Sequence, residues 1–340
     1  MAAFYVTAPE NRYYLSGFSG TSGALLLCRD HSYLITDFRY TRQASLECPG
    51  FTIIEAPGNG IEALAGLCRA DHVPQLGCEG DNLTYTQYQN LQKGLTEVEL
   101  KPVSGVVEGL RQHKDVDELR CIAEAVRIAD RAFAQITAYI RPGVAEVEVA
   151  LELEFLIRRM GADGIGFATI VASGTRSALP HGVASAKIIE TGDLVTLDFG
   201  AVYRGYHSDI TRTVVVGQVR PMQQKIYNIV LEAQLTGIAA VKAGVQASEV
   251  DRTARAIIKK NGYGDYFGHG TGHSLGLNIH ESPSLSTKDD TVLRAGMVVT
   301  VEPGIYLPDW GGVRIEDTVL VENDGCRILT GLPKASLLLL

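Results

Sequence analysis

Hydrophobic residues follow different patterns in the first and the later parts of the chain. From Tyr13 to about Pro102, short apolar runs such as GALLLCRD, SYLITDFRY and FTIIEAPGNG alternate with turn residues, and IEALAGLCRA has the spacing of a helix. Short apolar runs bounded by turns indicate strands, and apolar positions three and four residues apart indicate a helix. The first part is therefore predicted to be a small α/β domain.

A long amphipathic helix is predicted next, after polar and charged residues interrupt the pattern at residues 112–116. Its apolar face is formed by residues that recur every three or four positions: Leu119, Ile122, Val126, Ala129 and Phe133. Either Asp115 or Asp117 can cap this helix, and Pro142 with Gly143 is predicted to end it. We place the domain boundary between residues 114 and 115.

Strand patterns dominate beyond Gly161, in ATIVASG, DLVTLDFGAVYRGYHSDITRTVVVG, MVVTVEPGIY and GGVRIEDTVLVEN. One helix is predicted before them, in VEVALELEFLIRRMGA, and two between them, in KIYNIVLEAQLTGIAAVKAG and SEVDRTARAIIKKNG. This order indicates an α+β domain in which each half is a helix followed by a hairpin. The LLLL at the C-terminus is predicted to form a final strand.

Composition narrows the possible functions of these two domains. The chain has 340 residues, 46% hydrophobic and 21% charged, which is enough to bury two cores. A net charge of −8 without a basic cluster argues against a nucleic-acid partner. No apolar run is long enough to span a membrane and no signal-peptide pattern begins the chain, so a cytoplasmic protein is predicted. Six scattered cysteines without a CxxC pair indicate reduced thiols.

Two carboxylates are predicted to face each other across the hairpin VTLDFGAVYRGYHSDITRT. With a turn at residues 203–205, where the glycine supports a positive φ, Val202 lies opposite Gly205 and Asp198 lies opposite Asp209. In a longer loop the two aspartates become staggered neighbours. Opposed like charges destabilise a strand pair, so the arrangement calls for a cation, and a metal ion is the simplest one.

A second hairpin, VVTVEPGIYLPDWGGVRIEDTVLV, repeats this arrangement with Glu302 and Glu316 on either side of a turn near Asp309. Strand alternation places Arg314 on the face of Glu316, and the hydroxyl of Thr300 on the face of Glu302. Each acid alone is typical of a solvated strand residue. Two hairpins with acids in strands of buried character favour a functional site, because unpaired buried charge is costly.

The four acids and at least one histidine form an oxygen-rich ligand set. Four carboxylates carry about as much negative charge as two divalent ions carry positive charge. Such sites suit pairs of Mn, Co, Fe or Zn ions about 3.5 to 4 Å apart, which share a bridging hydroxide. The chemistry that such a pair performs best is hydrolysis.

The histidines do not identify the remaining ligand by their spacing. His269 and His273 are four residues apart in HGTGHSLGLNIHE, but the surrounding glycines make a helical zinc pair improbable and there is no HExxH motif. His280 and His181, taken singly, are more typical of hydrogen-bonded structural groups. His207 shares a strand face with Asp209 and is a candidate to support that ligand.

In order and surroundings, five residues resemble the metal ligands of the pita-bread metallopeptidases: Asp198 in LDFG, Asp209 in SDITRT, His273 in GTGHSLGLNIHE, Glu302 in VEPGIY and Glu316 in VRIED. The resemblance covers about residues 115–340. The segments NRYYLSGFSGTSGALLL and YLITDFRYTRQA resemble the N-terminal domain of the prolidase and aminopeptidase P branch. Together, the two resemblances imply an α+β fold, with a pita-bread catalytic domain over 115–340 preceded by a smaller, creatinase-like α/β domain over 1–114.

The resemblance also implies a role for each ligand. Asp198 is expected to chelate one of two divalent ions, and His273 with Glu302 the other. Asp209 and Glu316 are expected to bridge both ions. Glu302 is also expected to take a proton from the water that attacks the substrate.

For the substrate, the resemblance implies short peptides that contain proline, cleaved at the bond before it. His181 and His280 are expected to line the cleft and stabilise the developing oxyanion, and Arg314 to support Glu316 and the substrate. Many dipeptide-cleaving relatives carry an arginine after the His-Glu pair, where this chain has Ser284. Longer peptides therefore remain an alternative to dipeptides.

The family also suggests a homodimer and two competing functions. One is a non-catalytic binding module with the same fold, although such relatives typically lose ligands. The other is creatinase-like hydrolysis without a metal. The complete set of acids favours the metallopeptidase over both.

Overall fold

The computed structural model describes residues 2–340, which form two compact units, one up to Arg111 and one over Gln112–Leu340. The division falls three residues before the boundary that we placed between residues 114 and 115. The polar segment that interrupts the apolar pattern thus belongs to the second unit.

The first unit is a sheet with helices on both sides. Its strands are β1 Ala3–Val6, β2 Ala24–Cys28, β3 Ser32–Thr36, β4 Thr52–Glu55, β5 Gln75–Glu79 and β6 Glu99–Val103, and its helices are α1 Pro9–Ser16, α2 Thr41–Glu47, α3 Ile61–Ala70, α4 Tyr85–Gly94 and α5 Val106–Arg111. The sheet order is β4-β3-β2-β1-β5-β6. Consecutive residues Leu25 and Leu26 belong to separate apolar clusters, because a strand presents alternate side chains to opposite faces.

The second unit has four helices and four small sheets. The helices are α6 Val116–Ile136, α7 Glu146–Arg159, α8 Pro221–Ala240 and α9 Ala247–Lys260. The strands are β7 Gly164–Ile165, β8 Ile170–Ser173, β9 Leu194–Phe199, β10 Ala201–Tyr203, β11 Tyr206–His207, β12 Ile210–Val215, β13 Gly272–Ser274, β14 Glu281–Leu285, β15 Val298–Val301, β16 Gly304–Leu307, β17 Gly311–Arg314, β18 Asp317–Val321, β19 Cys326–Ile328 and β20 Leu338–Leu339. Two 3-10 turns lie at Gly174–Ala178 and Gly264–Tyr266.

Helices cover one side of the sheets that carry the predicted acids. The sheet orders are β20-β12-β9-β8, β14-β13-β15-β18-β19, β11-β10-β7 and β16-β17. Helices α6 and α7 pack on β9, where the rings of Phe133 and Phe199 stack at 5.9 Å. Helix α8 joins two further clusters, through Ile226 in one and Ile238 in the other. The predicted C-terminal strand is β20, which pairs with β12 in parallel.

Helix α6 begins where the sequence indicated and ends earlier. The side chain of Asp115 accepts hydrogen bonds from the backbone N–H groups of Asp117 and Glu118, which identifies Asp115 as the N-cap. The helix ends at Ile136 and not at Pro142, so that prediction was wrong. Beyond Ile136 the backbone N–H groups bond to carbonyls three residues back, from Ala138 to Gln135 and from Tyr139 to Ile136, so the α-helix ends in a tighter turn.

Two further features of the chain concern membrane spans and cysteines. Within residues 2–340 no helix is long and apolar enough to cross a membrane. All six cysteines carry free thiols.

Replacement of Asp115 by alanine is expected to lower the free energy of unfolding of the second unit by about 1 kcal/mol, because the cap of α6 is lost. For a unit of this size the melting temperature falls by roughly 2–4 °C. The matched control is Asp117→Ala, which removes only an exposed pair with Arg120 and should change stability by less than about 0.5 kcal/mol. Equal effects of the two variants in calorimetry would contradict the capping assignment.

Candidate metal centre

The two aspartates come together through a hairpin whose register differs from the predicted one. Strands β9 and β12 pair with Asp198 opposite Thr211, so the predicted pairing of Asp198 with Asp209 was wrong. The chain reverses at Arg204 and Gly205, with φ of 49° and 78°, because a tight two-residue hairpin loop needs positive φ at both positions. Asp198 and Asp209 are therefore staggered neighbours, the alternative arrangement.

A glycine allows the backbone to close up beside these aspartates. A Cβ atom at Gly200 would lie 1.9 Å from the carbonyl oxygen of Ser208, closer than any real contact. Glycine is thus required where β9 gives way to β10. The approach holds the segment with Asp209 against the end of the strand that carries Asp198.

The second hairpin has the predicted turn and register. Asp309 lies at its tip with a φ of 60°, and the β15–β18 and β16–β17 ladders share one register. Glu302 and Glu316 occupy the gap between the two ladders, opposite each other. The carboxylates lie where ladder hydrogen bonding is interrupted, so both side chains turn toward the same cavity.

Strand β13 supplies the histidine. A Cβ atom at Gly272 would lie 2.0 Å from the carbonyl oxygen of Thr300, so glycine is needed for β13 to lie against β15. Nδ1 of His273 lies 3.1 Å from the carbonyl oxygen of Ser274. That oxygen can only accept a hydrogen bond, which places the proton on Nδ1 and leaves Nε2 available as a ligand.

The predicted ligands meet in one cavity of about 460 Å³. Ligand atoms of Asp209, His273 and Glu316 all lie within 4.8 Å of one another. Nε2 of His273 is 3.4 Å from Oδ2 of Asp209 and 3.4 Å from Oε1 of Glu302. Asp198 lines the same cavity. The tertiary structure thus places all five side chains around one space.

This cluster has an excess of buried negative charge. Burial raises the pKa of Asp209 well above its usual range, and the charges of Asp198 and Glu302 raise it further. Burial is also the main reason that the pKa of Glu316 is raised, and the negative charge of Asp209 is the second reason. One buried oxygen of each of Asp198, Asp209 and Glu316 has no hydrogen-bond partner. Unpaired, converging carboxylate oxygens with one imidazole are the donor set that fits divalent cations.

The neighbouring residue Asp317 shows what a compensated carboxylate looks like in the same setting. Asp317 is equally buried, yet Arg212 lies 2.8 Å away and Lys334 also pairs with it. Burial by itself raises the pKa of Asp317, but these two cations bring it below its usual value. The raised pKa of Glu316, one residue earlier, therefore reflects a missing positive charge and not burial alone.

Arg314 contacts Asp198 directly and Glu316, the ligand that the sequence suggested, through Thr211. Its Nη2 donates to Oδ2 of Asp198 at 2.6 Å, and it has no direct hydrogen bond to Glu316. Its Nε donates at 3.0 Å to the hydroxyl of Thr211, which donates at 2.7 Å to Oε2 of Glu316. Sequence reasoning missed Thr211, although its position two residues after Asp209 on one strand was a usable signal.

His269 and Tyr306 extend this network along the cavity. Nε2 of His269 lies 2.8 Å from the hydroxyl of Tyr306, which also accepts from Nη1 of Arg314 at 2.9 Å. Burial, followed by the charge of Arg314, lowers the pKa of His269 to about 4, so the ring is neutral at pH 7. The sequence assigned no role to His269 and did not single out Tyr306, yet His269 lines the cavity.

The three other histidines that the sequence analysis considered, His280, His181 and His207, occupy different places. The ring of His280 packs edge-on against the ring of His273, with 4.4 Å between the ring centroids. Burial lowers the pKa of His280 most, and the charges of His273 and His181 lower it further. His181 lies on the exposed rim of the same cavity. His207 approaches Gly276 through its backbone N–H at 2.8 Å and its Nδ1 at 3.2 Å, and it does not line the cavity.

Two family models match the chain in succession. Residues 1–113 match the creatinase/prolidase N-terminal domain, and residues 120–323 match metallopeptidase family M24. The predicted resemblance and the predicted fold, a pita-bread domain after a creatinase-like domain, are thereby confirmed.

Relatives of known structure cover nearly the whole chain. The Xaa-Pro dipeptidase from Bacillus anthracis is 49% identical, with a TM-score of 0.97 over all of this chain and 95% of its own. The X-Pro aminopeptidase from Thermotoga maritima is 38% identical, with a TM-score of 0.95 over all of this chain and 98% of its own. The Xaa-Pro dipeptidase of Pyrococcus furiosus is 44% identical over 96% of this chain and 92% of its own length.

Replacement of Asp209 by asparagine is expected to weaken the binding of Mn²⁺ by more than about 10- to 100-fold, since even the loss of a group that orients a ligand costs that much. Isothermal titration and metal analysis of the dialysed protein measure the change. Asp117→Asn, an exposed acid on α6, serves as the control. Undiminished Mn²⁺ binding by a folded Asp209→Asn variant would exclude this cluster as the metal centre.

Proposed function

Because the chain belongs to metallopeptidase family M24, we propose that it hydrolyses the peptide bond before proline at the N-terminus of short peptides, with two divalent ions as cofactors. The carrying observation is the set of buried carboxylate oxygens that have no partner, converging with His273 in one cavity. The relatives named Xaa-Pro dipeptidase and X-Pro aminopeptidase support the substrate class.

The proposed ligand roles are those that the resemblance to the family implies. Asp198 would hold one ion, His273 and Glu302 the other, and Asp209 with Glu316 would contact both. Four carboxylates beside one buried guanidinium leave three negative charges, which is most of the charge needed to balance two divalent cations. The oxygen-rich donor set accepts Mn, Co, Zn or Fe.

Bound ions lower the pKa of a water molecule and polarise the scissile carbonyl. Glu302 takes the proton of the attacking water, and the hydroxyl of Thr300, 3.3 Å from Oε1 of Glu302, keeps that carboxylate in place. The lowered pKa of His280 favours its neutral form, whose N–H can donate to the oxyanion without carrying an extra charge into the site. His181 approaches the scissile peptide from the rim.

Most N–H groups of Arg314 are already used in hydrogen bonds within the protein, so few remain to bind a peptide. It already donates to Asp198, Thr211, Tyr306 and the carbonyl oxygen of Pro180. We therefore assign it to the support of Asp198 and, through Thr211, of Glu316. Its contact with substrate remains a prediction, as does the homodimer, which sedimentation tests.

The substrate length depends on the part of the cavity beside Ser284 and Ser286, whose hydroxyl oxygens are 3.2 Å apart. Neutral hydroxyls hydrogen-bond a peptide carbonyl as readily as a terminal carboxylate. We propose that the enzyme accepts Xaa-Pro-Yaa tripeptides as well as Xaa-Pro dipeptides. Enzymatic relatives and the complete set of acids argue against the non-catalytic alternative.

A cleavage panel tests this function directly. Dipeptides and tripeptides with proline at the second position should both be cleaved after the first residue in the presence of Mn²⁺, Co²⁺ or Zn²⁺. Matched peptides with alanine in place of proline serve as the control, and a chelator should abolish the activity. Hydrolysis that survives both chelation and Asp209→Asn would point to metal-free, creatinase-like chemistry instead.

Replacement of His280 by alanine is expected to lower kcat by about 100-fold, the usual effect of removing one donor to an oxyanion. His31→Ala, which changes a histidine of the first unit that is largely exposed, is the control. Steady-state kinetics on an Xaa-Pro peptide, with metal content measured in parallel, provide the comparison. A normal kcat in the variant would remove His280 from the mechanism.

A further inference from the structure

His181 lies on a loop, residues 179–185, whose apolar packing is limited to Ala184 against the core of the second unit. The side chains of Leu179 and Val183 are each 51% exposed, and His181 itself is exposed. A loop that buries so little apolar surface has little hydrophobic stabilisation. Its conformation, and hence the place of the His181 ring at the cavity rim, must come from polar contacts to its backbone.

Most of those polar contacts lead to Glu146 and Arg176. Nη2 of Arg176 donates to the carbonyl oxygen of Val183 at 2.9 Å. The backbone N–H and hydroxyl of Ser185 donate to Oε2 of Glu146 at 3.2 and 2.7 Å. The remaining tethers are the backbone N–H of Val147 on the carbonyl oxygen of Ser185, at 2.9 Å, Arg314 on the carbonyl oxygen of Pro180, at 3.2 Å, and a bridge from Val183 to β8.

Glu146 is a buried carboxylate with a full set of donors. It is fully buried at the first position of α7, where a helix N-terminus favours negative charge. Its Oε1 accepts from the backbone N–H and hydroxyl of Ser173, at 2.7 and 2.8 Å. Its Oε2 accepts from Ser185 and from Nη1 of Arg176. This carboxylate therefore joins the end of β8, the 3-10 turn and the loop of His181.

We propose that Glu146 and Arg176 form a clamp that positions His181 for catalysis. Neither residue lines the cavity, so the clamp acts only through the loop. The planar guanidinium suits this task, because one edge binds Glu146 while another nitrogen reaches the carbonyl oxygen of Val183. The inference rests on the proposed function, in which His181 contacts the scissile peptide.

Loss of the clamp should lower the rate without removing the metal. A shift of about 1 Å in a reacting group can cost on the order of 100-fold in rate. We expect Arg176→Met to reduce kcat by about tenfold or more and to leave Mn²⁺ binding unchanged. Arg176 is only partly buried, so the variant should fold. Arg127→Met removes another Arg–Glu pair, on the surface of α6, and is the matched control.

A double-mutant comparison distinguishes the loss of His181 positioning from a general loss of structure. If Arg176 acts through His181, Arg176→Met should cause no further loss when added to His181→Ala. Hydrogen exchange measured on the metal-free protein should rise in peptides covering residues 179–185 in Arg176→Met, and not in Arg127→Met. Ser185→Ala, which removes one donor from the loop side, should show the same effects in weaker form.

The outcomes distinguish the clamp from the function on which it rests. An equal loss of rate in the wild-type and His181→Ala backgrounds overturns the clamp, as does unchanged exchange of the loop with unchanged kcat. A wild-type enzyme that cleaves no Xaa-Pro peptide refutes the proposed function instead. In that case, loop exchange still decides whether Glu146 and Arg176 hold the loop.

Discussion

The structure of the second unit depends on the placement of acidic side chains where their charge is not balanced by the protein. Four carboxylates share one cavity with a single buried guanidinium, and that guanidinium is committed to Asp198. Buried like charges repel and are poorly solvated, so such a cluster is costly in the absence of cations. The neighbouring Asp317, with two basic partners, shows that this fold can neutralise a carboxylate where no ion is needed.

Hydrogen bonds between the two hairpins bring these distant acids together. The hydroxyl of Thr318 donates to the carbonyl oxygen of Asp209 at 2.8 Å, and the N–H of Glu316 donates to the carbonyl oxygen of Thr211 at 3.2 Å. Arg212 donates both to the carbonyl oxygen of Glu316 and to the side chain of Asp317. The ligands are thus fixed through backbone as well as side chains, which is the rigidity that a metal site requires.

The side chains proposed to contact substrate lie on a different kind of structure from the proposed metal ligands. The ligands Asp198 and His273 lie on strands, whereas His181 and His280 lie on loops at the cavity. Loops attached to a rigid scaffold commonly carry the residues that meet a ligand. Such loops need tethers of their own, and for His181 the buried carboxylate of Glu146 provides one through Arg176 and Ser185.

The sequence by itself determined most of the elements, the family and the candidate set of four acids and one histidine, because strand alternation, glycine turns and ligand surroundings are local patterns. It also located the second hairpin correctly, since the turn at Asp309 is symmetric about its two glutamates. Only the tertiary structure decided the register of the first hairpin, where Gly205 had to occupy the loop. It also decided the partners of Arg314 and the neutral state of His269, since both depend on burial and on charges brought from other strands.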